Sequence, residues 1–241
     1  MELRTTIDTD STEVQDWPML IGGQWVAATD GGWTDVTAPS RDGHVLARVP
    51  EGTSADVDKA VEAASAAFGG WRALHFKDRQ SALLKIADKI ESIAEEFSVL
   101  TAQDTGNALR TQARPETATI AALFRYFGGV AGEFKGKTLP AGDDQLQYTR
   151  LQPLGVVGAI LPWNSPLMIA GMKIPAALAA GNTMVVKPAE DAPLTILKLA
   201  QVCNEFLPDG VLNVVTGFGE TAGEAISVHP GIAKVSFTGS T

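Results

Sequence analysis

Apolar and polar positions along the chain change their period twice, and each change marks a different kind of element. From Leu20 to Pro50 the segments IGGQWVAA, WTDVTAPS and HVLARVP are short β-type runs separated by glycine and aspartate turns, which predicts strands and hairpins. After Ser54 the apolar positions Val57, Ala60, Val61, Ala64 and Phe68 recur at helical spacing behind a serine and an aspartate. A capped amphipathic helix is predicted there, ended by Gly69 and Gly70. Two more helices are predicted, over 77–100 with Leu83, Leu84, Ile86, Ile90 and Ile93 recurring, and over 115–134 with Ile120, Leu123, Phe124 and Phe127. Both read as packing helices without chemistry.

The stretch KTLPAGDDQLQYTRLQPL, residues 137–154, places a Gly-Asp-Asp turn between two strand-like arms and predicts a projecting hairpin. Two exposed strands are marginal in water by themselves, so such a hairpin is expected to seek another sheet edge, which favours an oligomer. From Gly155 onward strands and helices alternate: VVGAIL, a helix over 166–180, TMVVK, a helix over 193–206, LNVV, a helix over 221–228, then AKVSF. Apolar strands alternating with helices predict an α/β, doubly wound, mostly parallel sheet covered on both faces. The expected division is 1–136 for amino-terminal strands and helices of the same domain, 137–154 for the hairpin and 155–241 for the α/β core.

Composition narrows the function classes. A length of 241 residues with 45% hydrophobic content is enough for a substantial core. The formal charge of −9, from 28 acidic against 19 basic residues, argues against nucleic acid as a partner and leaves a small molecule as the expectation. The opening residues are polar and acidic, without the basic start and apolar stretch of an export signal. The longest apolar stretches, 156–163 and 174–180, are too short and too interrupted to cross a bilayer, so no membrane is expected. Cys203 is the single cysteine, which excludes an intrachain disulfide and a thiol metal cluster and fits a cytoplasmic protein with no metal.

In an open parallel sheet ligands collect beyond the carboxyl ends of the strands. The segments there are LPWNSP (161–166), KPAE (187–190), TGFGETAG (216–223) and FTGST (237–241), all polar or glycine-rich. Glycines let a backbone approach a phosphate, and a helix opening at the same point offers free amides to an anion, so a dinucleotide is the expected guest. Lys187 and Glu190 are candidates for the adenosine ribose hydroxyls, and an acidic residue there prefers a free 2′-hydroxyl, hence NAD over NADP. The spacing G-F-G-E-T-A-G departs from the dinucleotide fingerprint, and a glycine-rich turn capping a helix accounts for it equally well. Asn164, ahead of Pro166, is by itself an ordinary turn residue.

Taken in order, these segments resemble the aldehyde dehydrogenase superfamily over nearly the whole chain. The resemblance begins at IGGQWVAA and ADVDKAVEAASAAFGGWR and is most specific over GVVGAILPWNSPL, PALAAGNTMVVKPAEDAPL, LPDGVLNVVTGFGETAG and KVSFTGST. It implies a Rossmann-like cofactor domain binding NAD, a small aldehyde substrate, and oxidation to a carboxylic acid through a thiohemiacetal and hydride transfer. By the same carry-over the Asn164 amide stabilises the oxyanion, and Ile160 and Trp163 border the nicotinamide. Lys187 and Glu190 hold the ribose, and Gly219, Gly223, Phe237, Gly239 and Ser240 lie along the dinucleotide. Lys173 matches a lysine assigned to proton relay, although a solvated helix charge accounts for it too. The hairpin matches an oligomerisation arm, implying a homodimer or homotetramer.

Ser165 and Met172 depart from the aromatic residues common at those positions, which implies a wider or more polar aldehyde pocket. Neither the nucleophilic cysteine motif nor the base motif of the family is present, and Cys203, within LAQVCNEFL, reads as a packed inert thiol. The expectation is therefore the amino-terminal half of such an enzyme, cut before its catalytic cysteine, inactive and poorly soluble by itself. Two other readings stand beside it: a non-catalytic binding or assembly module on the same fold, and an NADP-dependent relative acting on an acyl phosphate or semialdehyde, which Glu190 disfavours.

Overall fold

The computed structural model describes residues 14–239. Its first part contains β1 (Gln15–Asp16), β2 (Met19–Ile21), β3 (Gln24–Val26), β4 (Trp33–Thr37) and β5 (Val45–Pro50). The helices α1 (Ser54–Ala73), α2 (Phe76–Ser92), α3 (Ala94–Thr105) and α4 (Arg114–Gly129) follow. The hairpin strands are β6 (Thr138–Leu139) and β7 (Gln147–Tyr148). Then come β8 (Val156–Ile160), α5 (Pro166–Ala179), β9 (Thr183–Lys187), α6 (Leu194–Asn204), β10 (Leu212–Val214), α7 (Glu224–Val228) and β11 (Lys234–Phe237).

The principal sheet has six strands in the order β11-β8-β9-β10-β2-β3. Strands β8 to β11 are parallel, while β2 pairs antiparallel with β10 and β3 antiparallel with β2. The sheet is thus mostly parallel, and it takes its far edge from the amino-terminal segment. Residues on both sides of position 155 share one core that runs from Trp17 to Val214.

Alternation along the strands sends neighbours to opposite layers. Met184 and Val186 face the larger cluster with α2, α4, α5 and α6, whereas Val185 joins Val57, Ala60, Val61 and Ala64 of α1 and Ile226 of α7 on the other face. Both faces are covered, as a parallel sheet of continuous apolar strands requires. Strands β1, β5 and β4 form a separate three-stranded sheet.

Helix boundaries differ from the sequence expectation at α7, which begins at Glu224 and not at 221, and at three places in the amino-terminal half. Helix α1 passes through Gly69-Gly70 to Ala73, because Trp71 is buried and its indole donates to the Leu178 carbonyl at 3.1 Å. Packing outweighs the low helix propensity of two glycines. The segment predicted as one helix over 77–100 is two: Ile93 leaves helical geometry (φ −119°, ψ 24°). Just before it the Ser92 hydroxyl donates to the Lys89 carbonyl at 2.7 Å, a side-chain bond that competes with the helix ladder. Helix α4 ends at Gly129, short of 134, where Val130 and Ala131 turn back onto Tyr126 and Gly128.

Strands β6 and β7 form a two-stranded sheet of their own around a turn closed by Gln145 N donating to Gly142 O at 2.9 Å. Its side chains are exposed, Leu146 at 76% and Tyr148 at 65%. Among the described residues no helix is long and apolar enough to cross a membrane.

Candidate functional site

Strand β8 leads through α5 to β9 on one side, whereas β11 follows α7 and pairs with β8 on the other, so the order in which strands join the sheet reverses between β8 and β11. A crevice at such a reversal is where an open α/β sheet takes a ligand. The strand ends lie in register: Ile160 is aligned with Lys187 in β9 and with Phe237 in β11. Two bonds beyond the strands extend the alignment, Leu161 N to Lys187 O at 2.9 Å and Thr238 N to Ile160 O at 3.1 Å. Ile160, Lys187 and Phe237 are therefore side by side, and Gly239 lies next to the Phe237 ring. Ser240 lies outside the described residues.

The second group sits at the ends of β9 and β10. Lys187 is buried and donates through Nζ to Pro188 O at 2.9 Å and to Glu190 Oε2 at 2.8 Å. Its side chain is 2% exposed against 37% for Glu190, so the pair presents its carboxylate outward. Burial pushes the Glu190 carboxyl up, but Lys187 and backbone amides, Gly219's among them, together hold it below its ordinary value. Gly223 completes the group, since a Cβ there would stand 3.5 Å from Lys187 Cδ.

The loop carrying Gly219 and Gly223 is tied to the turn between β5 and α1. Gly52 N donates to Thr216 O at 3.1 Å, and the Thr216 hydroxyl to Pro50 O at 2.6 Å. Gly217 has φ 129°, and a Cβ there would meet Gly52 O at 2.5 Å, so only glycine permits this approach.

Trp163, 55% exposed, and Glu190 line a common cleft of about 440 Å³ with Phe218, Asp104 and the residues of β4. Asn164 follows Trp163 in the turn before α5 and is exposed. Its carbonyl accepts from Asn107 Nδ2 at 2.8 Å. Ser165 is the residue before α5 and does not cap the helix with its own side chain.

Glu116 of α4 reaches this point: the Ser165 hydroxyl and the amides of Met168 and Leu167 oppose the burial that raises its carboxyl pKa. Asp104, at the end of α3, likewise accepts from the amides of Leu194 at 3.3 Å and Thr195 at 2.8 Å, capping α6 from a distance. Sequence reasoning missed Asn107, Glu116 and Asp104. For Glu116 a signal existed, because a carboxylate stands on the apolar stripe of Thr117, Ile120, Ala121 and Phe124.

Lys173 is no solvated helix charge. Its Nζ donates to Ile160 O at 3.1 Å and Ser236 O at 2.9 Å, joining the ends of β8 and β11, and burial lowers its pKa to about 8. Met172 beside it is exposed and lines a cavity of about 270 Å³ with Leu154, Val157 and Lys234, a cavity that Ser165 does not line. Cys203 is fully buried in α6, and burial pushes its thiol well up, so it is no nucleophile. No group of three or more His, Cys, Asp or Glu placed to hold a metal ion occurs among the described residues.

Comparison with known proteins extends this geometry. Residues 25–241 match the model of the aldehyde dehydrogenase family. An acetaldehyde dehydrogenase of Pseudomonas aeruginosa is 43% identical over 221 residues, covering 92% of this chain and 44% of the relative. A phenylacetaldehyde dehydrogenase of Pseudomonas fluorescens is 44% identical over 232 residues, covering 92% of this chain and 46% of the relative. The structure of the NAD+ complex of an aldehyde dehydrogenase from Bacillus cereus superposes with TM-score 0.91 at 41% identity, over 94% of this chain and 46% of that one. The chain thus spans about half the length of the relatives it matches.

Proposed function

Because this chain belongs to the aldehyde dehydrogenase family, we propose that its residues form the dinucleotide cradle and the oxyanion donor for oxidation of an aldehyde to a carboxylic acid with NAD. The observation that carries the reading is the convergence of four strand-end segments on one end of the sheet, with Asn164 exposed beside Trp163.

The donor set suits a dinucleotide. Glu190 presents a carboxylate backed by a buried ammonium, which suits two ribose hydroxyls. At Gly219 open space stands where a side chain would be, leaving room for a ligand against the backbone. The charge that Glu190 turns outward disfavours a 2′-phosphate, so NAD is preferred over NADP. The Bacillus cereus relative is an NAD+ complex, in line with this choice.

In this reading the dinucleotide, which Lys187, Glu190 and Gly219 would hold, would supply the hydride acceptor. The chain's own residues do the rest of what is assigned here. Asn164 donates its amide to the oxygen of the reacting aldehyde as negative charge develops on it, and a donor oriented beforehand lowers the barrier there. Trp163 and Ile160 shape the approach to the reacting carbon. Lys173, drawn between two carbonyls and titrating at about 8, is able to hold or release a proton near neutral pH.

The experiment is titration of the 241-residue chain with NAD and NADP, followed by quenching of the intrinsic tryptophan fluorescence, to which Trp163 contributes. Saturable binding of NAD, tighter than NADP and weakened by Glu190→Ala, is expected. Equal or absent binding of both rejects the cradle. A binding module without chemistry is the second reading. Aldehyde-dependent NADH formation by the protein expressed from its complete gene decides against it.

A further inference from the structure

Helix α5 begins without a cap of its own. Ser165 makes no side-chain capping bond, Pro166 has no amide hydrogen, and the first helical bond runs from Ile169 N to Ser165 O at 3.1 Å. The free amides of the first turn are thus those of Leu167 and Met168. Both interact with the carboxylate of Glu116, as does the Ser165 hydroxyl. Glu116 stands in the first turn of α4 on its buried side and is 7% exposed, and its Oε2 is buried with no hydrogen-bond partner. Burying a carboxylate with one oxygen unpaired is costly, so a purely packing position would favour an apolar residue.

On the other side of the turn, Asn107 holds the Asn164 carbonyl at 2.8 Å. Asn107 is itself fixed, its amide donating to the Thr105 hydroxyl at 3.1 Å. Both clamps come from the segment that ends α3 and opens α4, while α4 packs along α5. Asn164 sits between the two fixed points, and its side chain makes no hydrogen bond among the described residues. The direction of that amide is therefore set by the backbone on either side of it.

We propose that Glu116 is a positioning residue: with its buried carboxylate set from α4 against the first turn of α5, opposite the Asn107 clamp, it aims the Asn164 amide at the developing oxyanion. The assignment rests on the role of Asn164 given above. It predicts that loss of Glu116 acts through Asn164 and not through cofactor binding, whose groups are at the ends of β9 and β10.

The test is a double-mutant cycle in the protein expressed from its complete gene, with acetaldehyde and benzaldehyde as substrates and NAD as cofactor. Glu116→Ala is expected to lower kcat roughly 10- to 100-fold, the range for a displaced catalytic group. The Kd for NAD is expected to stay unchanged. Glu116→Gln, which keeps one acceptor and places its Nε2 at the unpartnered oxygen, is expected to recover most of kcat. Added to Asn164→Ala, Glu116→Ala is expected to cost nothing further. Amide exchange at Leu167 and Met168 is expected to quicken in the alanine variant only.

Additive losses, or a fall in NAD affinity parallel to kcat, overturn the role of Glu116 alone. An Asn164→Ala variant with the original kcat removes the reading of Asn164 and the role of Glu116 with it. Where Glu116→Ala does not fold, Glu116→Asp, shorter by one methylene, carries the same cycle.

Discussion

Two buried titratable groups show how far a residue's chemistry depends on what folds around it. Burial raises the Asp104 carboxyl to about 6, against the opposing amides of Thr195 and Leu194. Between its ordinary value and 6 the folded chain holds a proton that the unfolded chain has lost. Its contribution to stability is therefore present below that window and is lost as pH rises through it. That displacement corresponds to roughly 3 kcal/mol. Asp104→Asn, which carries no titrating proton, is expected to flatten the urea midpoint between pH 4 and 6; an unchanged slope contradicts the assignment.

Lys173 has the opposite sign. Burial lowers its pKa from 10.5 to about 8, so between these values the unfolded chain holds the extra proton and stability rises with pH. Lys173→Met should remove that rise, measured as urea midpoints at pH 8 and pH 10.

At the scale of elements, the turn between β5 and α1 and the loop after β10 constrain each other. A Cβ at Gly52 would stand 2.3 Å from Thr216 O and 2.8 Å from Val215 Cγ1, atoms held by the sheet. Gly52→Ala is expected to destabilise the fold by about 1–3 kcal/mol, the usual cost of overpacking. The same substitution displaces the loop bearing Gly219 and Gly223, so NAD affinity should fall too; chemical denaturation and NAD titration together check both effects.

The elements themselves were largely legible. Strand β8, helix α5, strand β9 and helix α6 fall where the change of period put them, because apolar runs and helical spacing are local signals. The break at Ile93 was not legible, since ESIAEEF contains neither glycine nor proline and the competing bond comes from a serine hydroxyl. The continuation of α1 through two glycines was hidden for a related reason: its cause is the seat of Trp71 against α5, more than 100 positions away.

Over the whole molecule, most apolar surface is covered by the two layers on the principal sheet, and the β6-β7 hairpin stands apart with Leu139, Leu146, Tyr148 and Leu151 exposed. An isolated two-stranded unit with open edges and apolar side chains is suited to pairing with another copy. Replacing Leu146 and Tyr148 together by aspartate is expected to lower the molar mass in solution while leaving NAD binding intact. An unchanged mass by light scattering removes the hairpin from the assembly contact. The hairpin touches neither the cleft shared by Trp163 and Glu190 nor the loops that tie it to β5, so the two properties should separate cleanly.

The sequence by itself determined the alternation of strands and helices, the polar and glycine-rich segments at the strand ends, and the family resemblance those segments carry. All of these are properties of short contiguous stretches, and period or composition encodes them directly. Only the tertiary structure decided that β2 and β3 complete the sheet, that Lys173 bridges the ends of β8 and β11, and that Asp104 caps a helix it does not belong to. A buried charge or an open helix end must find its partner wherever packing brings one. For Asp104 that partner lies 91 positions along the chain, beyond the reach of any local pattern.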